Sequence, residues 1–306
     1  MVAAASGCGG QSDPVSQVSQ AVHVAVGSRG GDFWTYGTAL QEVVNDRRAE
    51  FRVVVDTAVG IRTLQALNDG GSDCGFAYAN LAYESFSGTL VDPAGPLDRL
   101  RGVASIEVTP LNLIVPEAST IHNVRDLSGR RIIIGTHNSG SFRAAQLVLE
   151  AHGLLGQDGG VEVLATPFGT QAFREGRADA ILQLRGRPPG TTESRLRLVP
   201  IDGPQVTALR QQYPFFRAAL IPMGSFGGQV APVKTVGIDS VLLCREGISP
   251  ALVRQLTADW FEAVDRLSSE GRVSHPFSRK AASAAPIPLH QGARDFYRAR
   301  QVLLRD

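Results

Sequence analysis

No stretch of this 306-residue chain approaches the roughly 20 consecutive apolar residues that a bilayer-spanning helix needs, so no helical span is expected. Charge of one sign is also missing. Thirty Lys and Arg stand against 29 Asp and Glu, a net charge of +1, which leaves no field to draw nucleic acid or an acidic membrane. No His, Cys, Asp and Glu fall together at metal-ligand spacing. Ser139 lies in Asn-Ser-Gly-Ser, not in a Gly-x-Ser-x-Gly elbow, and no His or Asp partner is evident. The glycine loops match neither the P-loop nor Gly-x-Gly-x-x-Gly. Nothing here points to catalytic residues, a metal or a cofactor, and the chain reads as a non-enzyme. At 43% hydrophobic and 19% charged residues the composition is that of a folded rather than a disordered chain.

Cysteine is scarce, and its three residues divide into two kinds. Cys74 and Cys244 sit in apolar, strand-like runs and read most simply as core residues; a disulfide between them stays open, with nothing local favouring it. Cys8 follows Ala5-Ser6-Gly7 and precedes a polar linker, which resembles the end of a bacterial lipoprotein signal and makes Cys8 a lipidation candidate. The bland alternative is a flexible Gly, Ala and Ser-rich terminus.

What the chain does have is a pattern that occurs twice. The apolar run Val22 to Gly27 opens into Ser28-Arg29-Gly30-Gly31-Asp32, and a helical pattern follows. Arg131 to Gly135 opens into Thr136-His137-Asn138-Ser139-Gly140-Ser141, again before a helical pattern. A strand feeding a helix through such a turn leaves backbone N–H groups at the helix start, where they and the helix dipole attract an anion. A second pair of landmarks agrees. Leu67 to Asp73 precedes a strand at 74–78, and Phe173 to Asp179 precedes one at 181–184. The glycines at 70 and 176 lie 106 residues apart and those at 27 and 135 lie 108 apart, so a duplicated lobe is expected.

Strands and helices alternate from about residue 21. The periodicity predicts a helix over 32–46, a strand over 51–55 and a short helix ending at Gly70-Gly71. It predicts strands at 100–106, 111–115, 161–164 and 196–201, and helices at 141–152, 205–213 and 250–267. Residues 235–244 read as a strand pair or one bent strand. This order predicts an α/β fold of two lobes, each a mostly parallel sheet flanked by helices, with the ligand beyond the strands' carboxyl ends. That places the loops at 28–32, 78–80, 136–141 and 185–190 around one cleft.

These residues resemble the solute-binding subunits of the TAXI class of TRAP transporters, from about Ala21 to Tyr297. The shared segments include Gly27 to Trp34, Gly70 to Ala82, Asn123 to Arg131, Asn138 to Ser141, Pro200 to Gly203, Tyr213 to Phe216 and Pro286 to Ala293. The resemblance implies a type II periplasmic-binding-protein fold. Residues 1–20 would be a linker or signal remnant, 21–114 plus 225–306 one lobe and 115–224 the other. It implies a monomer that captures a small carboxylate (a glutamate-like amino acid, a dicarboxylate or a 2-oxo acid) outside the cytoplasm, with a TRAP permease as partner. The alternative is a sensor of the same fold that signals to a membrane receptor. Matched motif to motif, the ligand contacts would be Gly30, Gly31, Asp32, Phe33, Trp34, Tyr78 and Asn80 in one lobe, and Asn138, Ser139, Gly140 and Ser141 in the other.

The chain also departs from that family. The first loop commonly carries Gly-Gly-Thr-Tyr-Tyr; here it is Gly30-Gly31-Asp32-Phe33-Trp34. Asp32 reads as a plain N-cap, with pairing to a ligand ammonium as the alternative. Arg185 follows the strand at 181–184 where the family tends to small apolar residues; it is either a bidentate carboxylate clamp or a solvated loop residue. Arg143, in the first turn of its helix, is expected to be solvated. His23 is expected in the core, His137 in the second anion loop, and Phe226 in a flexible glycine-rich stretch.

Overall fold

The computed structural model describes residues 20–90, 95–156, 160–164, 169–184, 196–226, 228–273 and 277–302. Cys8, Arg185 and the loop at 185–190 lie outside the described residues. The chain begins with β1 (Gln20–Val26), α1 (Asp32–Arg47), β2 (Phe51–Thr57), α2 (Ile61–Asp69), β3 (Cys74–Tyr78) and α3 (Ala79–Ser87). A long β4 (Leu100–Pro116) leads to β5 (Arg131–Ile133), α4 (Gly140–Ala151), β6 (Glu162–Leu164), α5 (Gly169–Arg174) and β7 (Ala180–Leu184). Then come β8 (Leu196–Val199), α6 (Pro204–Gln212), β9 (Phe216–Ile221), β10 (Val233–Arg245), α7 (Pro250–Ser269) and α8 (Gln291–Ala299).

The strands pair in the order β2-β1-β3-β10-β4-β7-β5-β6, with β8 added to β4 and β9 to β10. β1 is parallel to β2 and β3, and β5 is parallel to β6 and β7. Each parallel set is completed by an antiparallel neighbour, β10 against β3 and β4, and β4 against β7. Valines 22, 24 and 26 of β1 are buried, as strands covered by helices require. His23 is not: alternation turns it to the opposite face, where its Nδ1 lies 2.8 Å from Asp56 of β2 and both side chains are about half exposed. Tyr36, Leu40, Val43 and Val44 give α1 its buried stripe, and Trp260 on α7 packs edge-on to Tyr36. Among the described residues, no helix is long and apolar enough to cross a membrane.

The two halves of the sheet are joined by strands longer than the periodicity predicts. Segments 100–106 and 111–115 are one strand, and 235–244 lies within one strand, β10. Up to Pro110, β4 pairs with β10; from Leu111 onward it pairs with β7 and β8. The apolar run breaks at Glu107, Thr109, Pro110 and Asn112, and the backbone does not, because the polar side chains find buried partners. Tyr36 donates its hydroxyl to Glu107, and the Thr109 and Ser240 hydroxyls lie 3.2 Å apart. Burial and the Glu107 carboxylate push the Tyr36 hydroxyl far above its usual pKa.

The duplication read from the sequence has a physical counterpart. Gly70 and Gly176 each close a helix in the left-handed conformation, and Asp73 and Asp179 then do the same work in each half. The Asp73 carboxylate accepts from the His23 backbone N–H at 2.9 Å, and the Asp179 carboxylate from that of Arg131 at 2.8 Å. Each aspartate thus ties the start of one parallel strand to its neighbour.

Cys74 and Cys244 form a disulfide, which corrects their reading as simple core residues. They face each other across β3 and β10, a proximity set by strand pairing between positions 170 residues apart and therefore invisible in local sequence. A crosslink of that span restricts the unfolded chain strongly. Replacing both cysteines by alanine is expected to lower stability by about 2–4 kcal/mol. Thermal unfolding with and without reductant checks this: reductant should lower the midpoint of the native protein and leave the variant unmoved.

Candidate functional site

Three helix starts surround one cavity of about 380 Å³. It lies at the carboxyl ends of β1, β3, β5 and β7, where an open α/β sheet places its ligand. Gly31, Asp32 and Phe33 line it from α1, and Ser139, Gly140 and Ser141 from α4. Tyr78, Ile181, Gln183 and Leu184 come from the strand ends. The volume falls within the usual range for small-molecule pockets. α1 opens at Gly31 with no side-chain cap, and α4 opens at Ser139, whose hydroxyl accepts from the Phe142 N–H at 3.1 Å. The first N–H groups of a helix have no partner within it, so both starts present donors and the positive dipole end toward the cavity.

Aromatic rings form part of the wall. Phe33 packs on Tyr78 with centroids 5.0 Å apart and on Phe76 at 6.3 Å. The Ser141 hydroxyl accepts from the Leu184 N–H at 3.0 Å, which ties the start of α4 to the end of β7.

Apart from Asp32, the remaining predicted residues stand off this cavity. The N-cap of α1 is Gly31, not Asp32; Asp32 is the first helical residue and is among those lining the cavity. Gly30 sits in an exposed turn at φ +79° and does not line the cavity. Trp34 points away because it is a helical neighbour of Phe33; it packs on the core, with the Arg29 guanidinium 5.0 Å from its ring centre. Asn80 is wholly buried, and its Nδ2 donates to the Gly140 carbonyl at 2.8 Å. Asn138 lines a second, adjoining cavity of about 310 Å³ that shares Leu81 and Ser139 with the first. His137 is exposed and lies against Phe142, 4.7 Å between ring centres. Phe226 is buried among Ile114, Ile181 and Ile221.

Sequence reasoning missed two parts of the site. The turn Ala58-Val59-Gly60, with Thr63, lines the cavity. Its signal was present: a Val-rich strand, a glycine and a helical pattern, the same joint in a third copy. The other is Glu84. It is 2% exposed, and Arg143 donates to it from Nε at 3.0 Å and from Nη2 at 2.8 Å. Arg143 is therefore not solvated as expected. Burial works against its charge, and the Glu84 carboxylate outweighs that and raises its pKa.

Among the described residues, four hydrogen-bonded links run from elements before β4 to the part of the chain from β5 to β7. The Ile61 N–H donates to the Asn138 carbonyl at 3.1 Å, Tyr78 Oη to the Leu184 carbonyl at 3.2 Å, Asn80 to Gly140, and Arg143 to Glu84. Each of the two cavities is walled from both sides of this seam. Among the described residues no group of three His, Cys, Asp or Glu could hold a metal ion.

This fold is that of the periplasmic-binding proteins. Over 92% of this chain and 88% of the other it superposes on the periplasmic aliphatic sulphonate binding protein SsuA from Escherichia coli, at a TM-score of 0.52 and 17% identity. A TctC solute binding protein from Polaromonas matches with a TM-score of 0.54 and 13% identity, covering 94% of this chain and 100% of that one. The sequence model of the NMT1-like family matches residues 24–299, and the chain belongs to that family.

Proposed function

We propose that the protein is an extracytoplasmic solute receptor that captures a small carboxylate and presents it to a TRAP-type permease. The observation that carries the reading is the meeting of the α1 and α4 starts at one cavity between two sheet halves. Such starts bind anions through backbone N–H groups and the helix dipole. In this reading residues 21–114 plus 225–306 form one lobe and 115–224 the other, and they close about β4 and β10 by a hinge. The Cys74–Cys244 disulfide supports a location outside the reducing cytoplasm. Cys8 would carry a lipid anchor, and Arg185, just beyond Leu184, would add a fork of donors to the ligand.

The test is a thermal-shift panel of amino acids, dicarboxylates and 2-oxo acids on protein that has been unfolded and refolded to release any bound solute. A ligand of the folded state at about 100 times its dissociation constant adds about 2.7 kcal/mol, a shift of several degrees. A single class of carboxylate should produce it. No shift with any carboxylate overturns the reading.

A further inference from the structure

Thr63 departs from what the other described helical threonines do. Thr35, Thr38, Thr207 and Thr257 each donate their hydroxyl to the carbonyl four residues earlier. A hydroxyl inside a helix commonly does so. Thr63 stands in the first turn of α2, and the carbonyl four residues before it belongs to Val59. Gly60 lies between them at φ +62° and ψ −131°, off the helical path that would aim that carbonyl at Thr63. The Thr63 N–H donates to the Gly60 carbonyl at 3.2 Å, and among the described residues its hydroxyl has no partner. Yet Thr63 is 1% exposed and lines the cavity. Its methyl group is turned to β3, where a Cβ on Gly75 would lie 3.0 Å from Cγ2. The hydroxyl is the other branch at that carbon, and the cavity is what it has left to face.

A hydroxyl in so buried a position calls for a hydrogen-bonding partner. The rest of the cavity indicates which kind. Among the described lining residues none is Lys, Arg or His, and in the receptor reading the ligand carboxylate goes to the start of α4. There the Ser139 hydroxyl is spent, donating to the Thr136 carbonyl at 2.8 Å and accepting from Phe142. The Ser141 oxygen accepts from Leu184, which leaves its hydrogen to donate. At α2 the positive dipole end is already met, because the Ile61 N–H donates to the Asn138 carbonyl. A second ligand charge beside Thr63 would be desolvated without a counter-ion, whereas an uncharged oxygen would not.

Resting on the receptor reading above, we infer that Thr63 is a ligand contact and that the ligand is an oxygenated acid. Besides its carboxylate it carries a hydroxyl or keto oxygen, and that oxygen bonds to the Thr63 hydroxyl. Either group serves, since a hydroxyl both donates and accepts. A site that hydrogen-bonds a ligand oxygen rejects the analogue that lacks it. Thr63 is thereby the residue that tells an oxygenated acid from its parent.

Titration calorimetry on refolded protein decides the matter. The probes are pentanoate with its 2-oxo, 2-hydroxy and 4-oxo derivatives, glutarate with its 2-oxo and 2-hydroxy derivatives, and L-glutamate. At least one oxygenated acid is expected to bind about tenfold or more tighter than its parent. Thr63→Val keeps the branched shape and removes the hydroxyl. It should weaken the oxygenated acid about tenfold and spare the parent, while Thr63→Ser retains the preference. Without ligand, Thr63→Val should unfold no lower than the native protein, because no bond within the fold is lost. A fall of several degrees would show that the hydroxyl bonds inside the protein and overturns the inference. Equal losses for parent and oxygenated acid mark Thr63 as structural and overturn it too. Parents binding as tightly as their derivatives overturn the ligand oxygen while the receptor reading stands. L-glutamate binding tighter than every oxygenated acid overturns the uncharged group. If all these probes are silent and another carboxylate of the wider panel binds, a tenfold loss of that ligand in Thr63→Val sustains the contact, and unchanged affinity overturns the inference alone. Silence from every carboxylate overturns the receptor reading with it.

Discussion

Gly60→Ala is expected to weaken binding of the panel's best carboxylate by about a hundredfold, or about 2.7 kcal/mol. Gly60 precedes α2 at φ +62°, and a Cβ there would lie 2.3 Å from the Asn138 carbonyl oxygen and 3.2 Å from its carbon. Both are backbone atoms, so no side-chain rotation relieves the contact. The same oxygen accepts from the Ile61 N–H at 3.1 Å. A methyl group at this seam must push the second half away by about 1 Å to reach ordinary contact distance, and the Ile61 bond is lost with it. Small-angle scattering of the liganded variant should then give a larger radius of gyration than the liganded native protein. Gly129→Ala is the control: its φ is +72°, and an added Cβ meets nothing within 4 Å. That substitution carries the backbone strain without the clash, so it should lower stability and leave affinity unchanged. Native affinity in the Gly60 variant would show that the seam does not need this close approach.

Arg143→Ala is expected to cost about 3 kcal/mol of stability, seen as a drop of several degrees in the unfolding midpoint. The reason lies in what remains. Glu84 is 2% exposed, and its only ion-pair partner among the described residues is Arg143, itself about one-quarter exposed. Removing the arginine leaves a buried carboxylate without its cation. Adding Glu84→Gln to that variant should recover part of the loss, because a neutral amide is less costly to bury unpaired. A loss below about 0.5 kcal/mol would mean the pair behaves like an exposed one. The pair also bears on binding, since α3 begins beside the seam residues Tyr78 and Asn80 and Glu84 lies one turn further on. The Arg143 variant should therefore weaken ligand binding along with the fold.

The parts of this protein legible in the sequence are those set by local chemistry. Alternating apolar runs and glycine joints placed the strands and helices of the parallel cores, because side-chain period and turn stereochemistry act within a few residues. The repeated joints at Gly27 and Gly135 marked both loops that meet at the cavity, and the repeated Asp73 and Asp179 marked its duplicated frame. Three things were decided only by the tertiary structure, each by contacts across long stretches of chain. The Cys74–Cys244 bond follows from the pairing of β3 with β10 across 170 residues. Whether Arg143 is solvated depends on Glu84, carried by another helix. Which site residues face ligand and which hold the halves together depends on helix phase and on the seam. These put Phe33 on the wall and Trp34 off it, and spent Asn80 and the Asn138 carbonyl on contacts between the halves. A local pattern determines which residues reach a helix start; what that start faces is determined by the other half of the molecule.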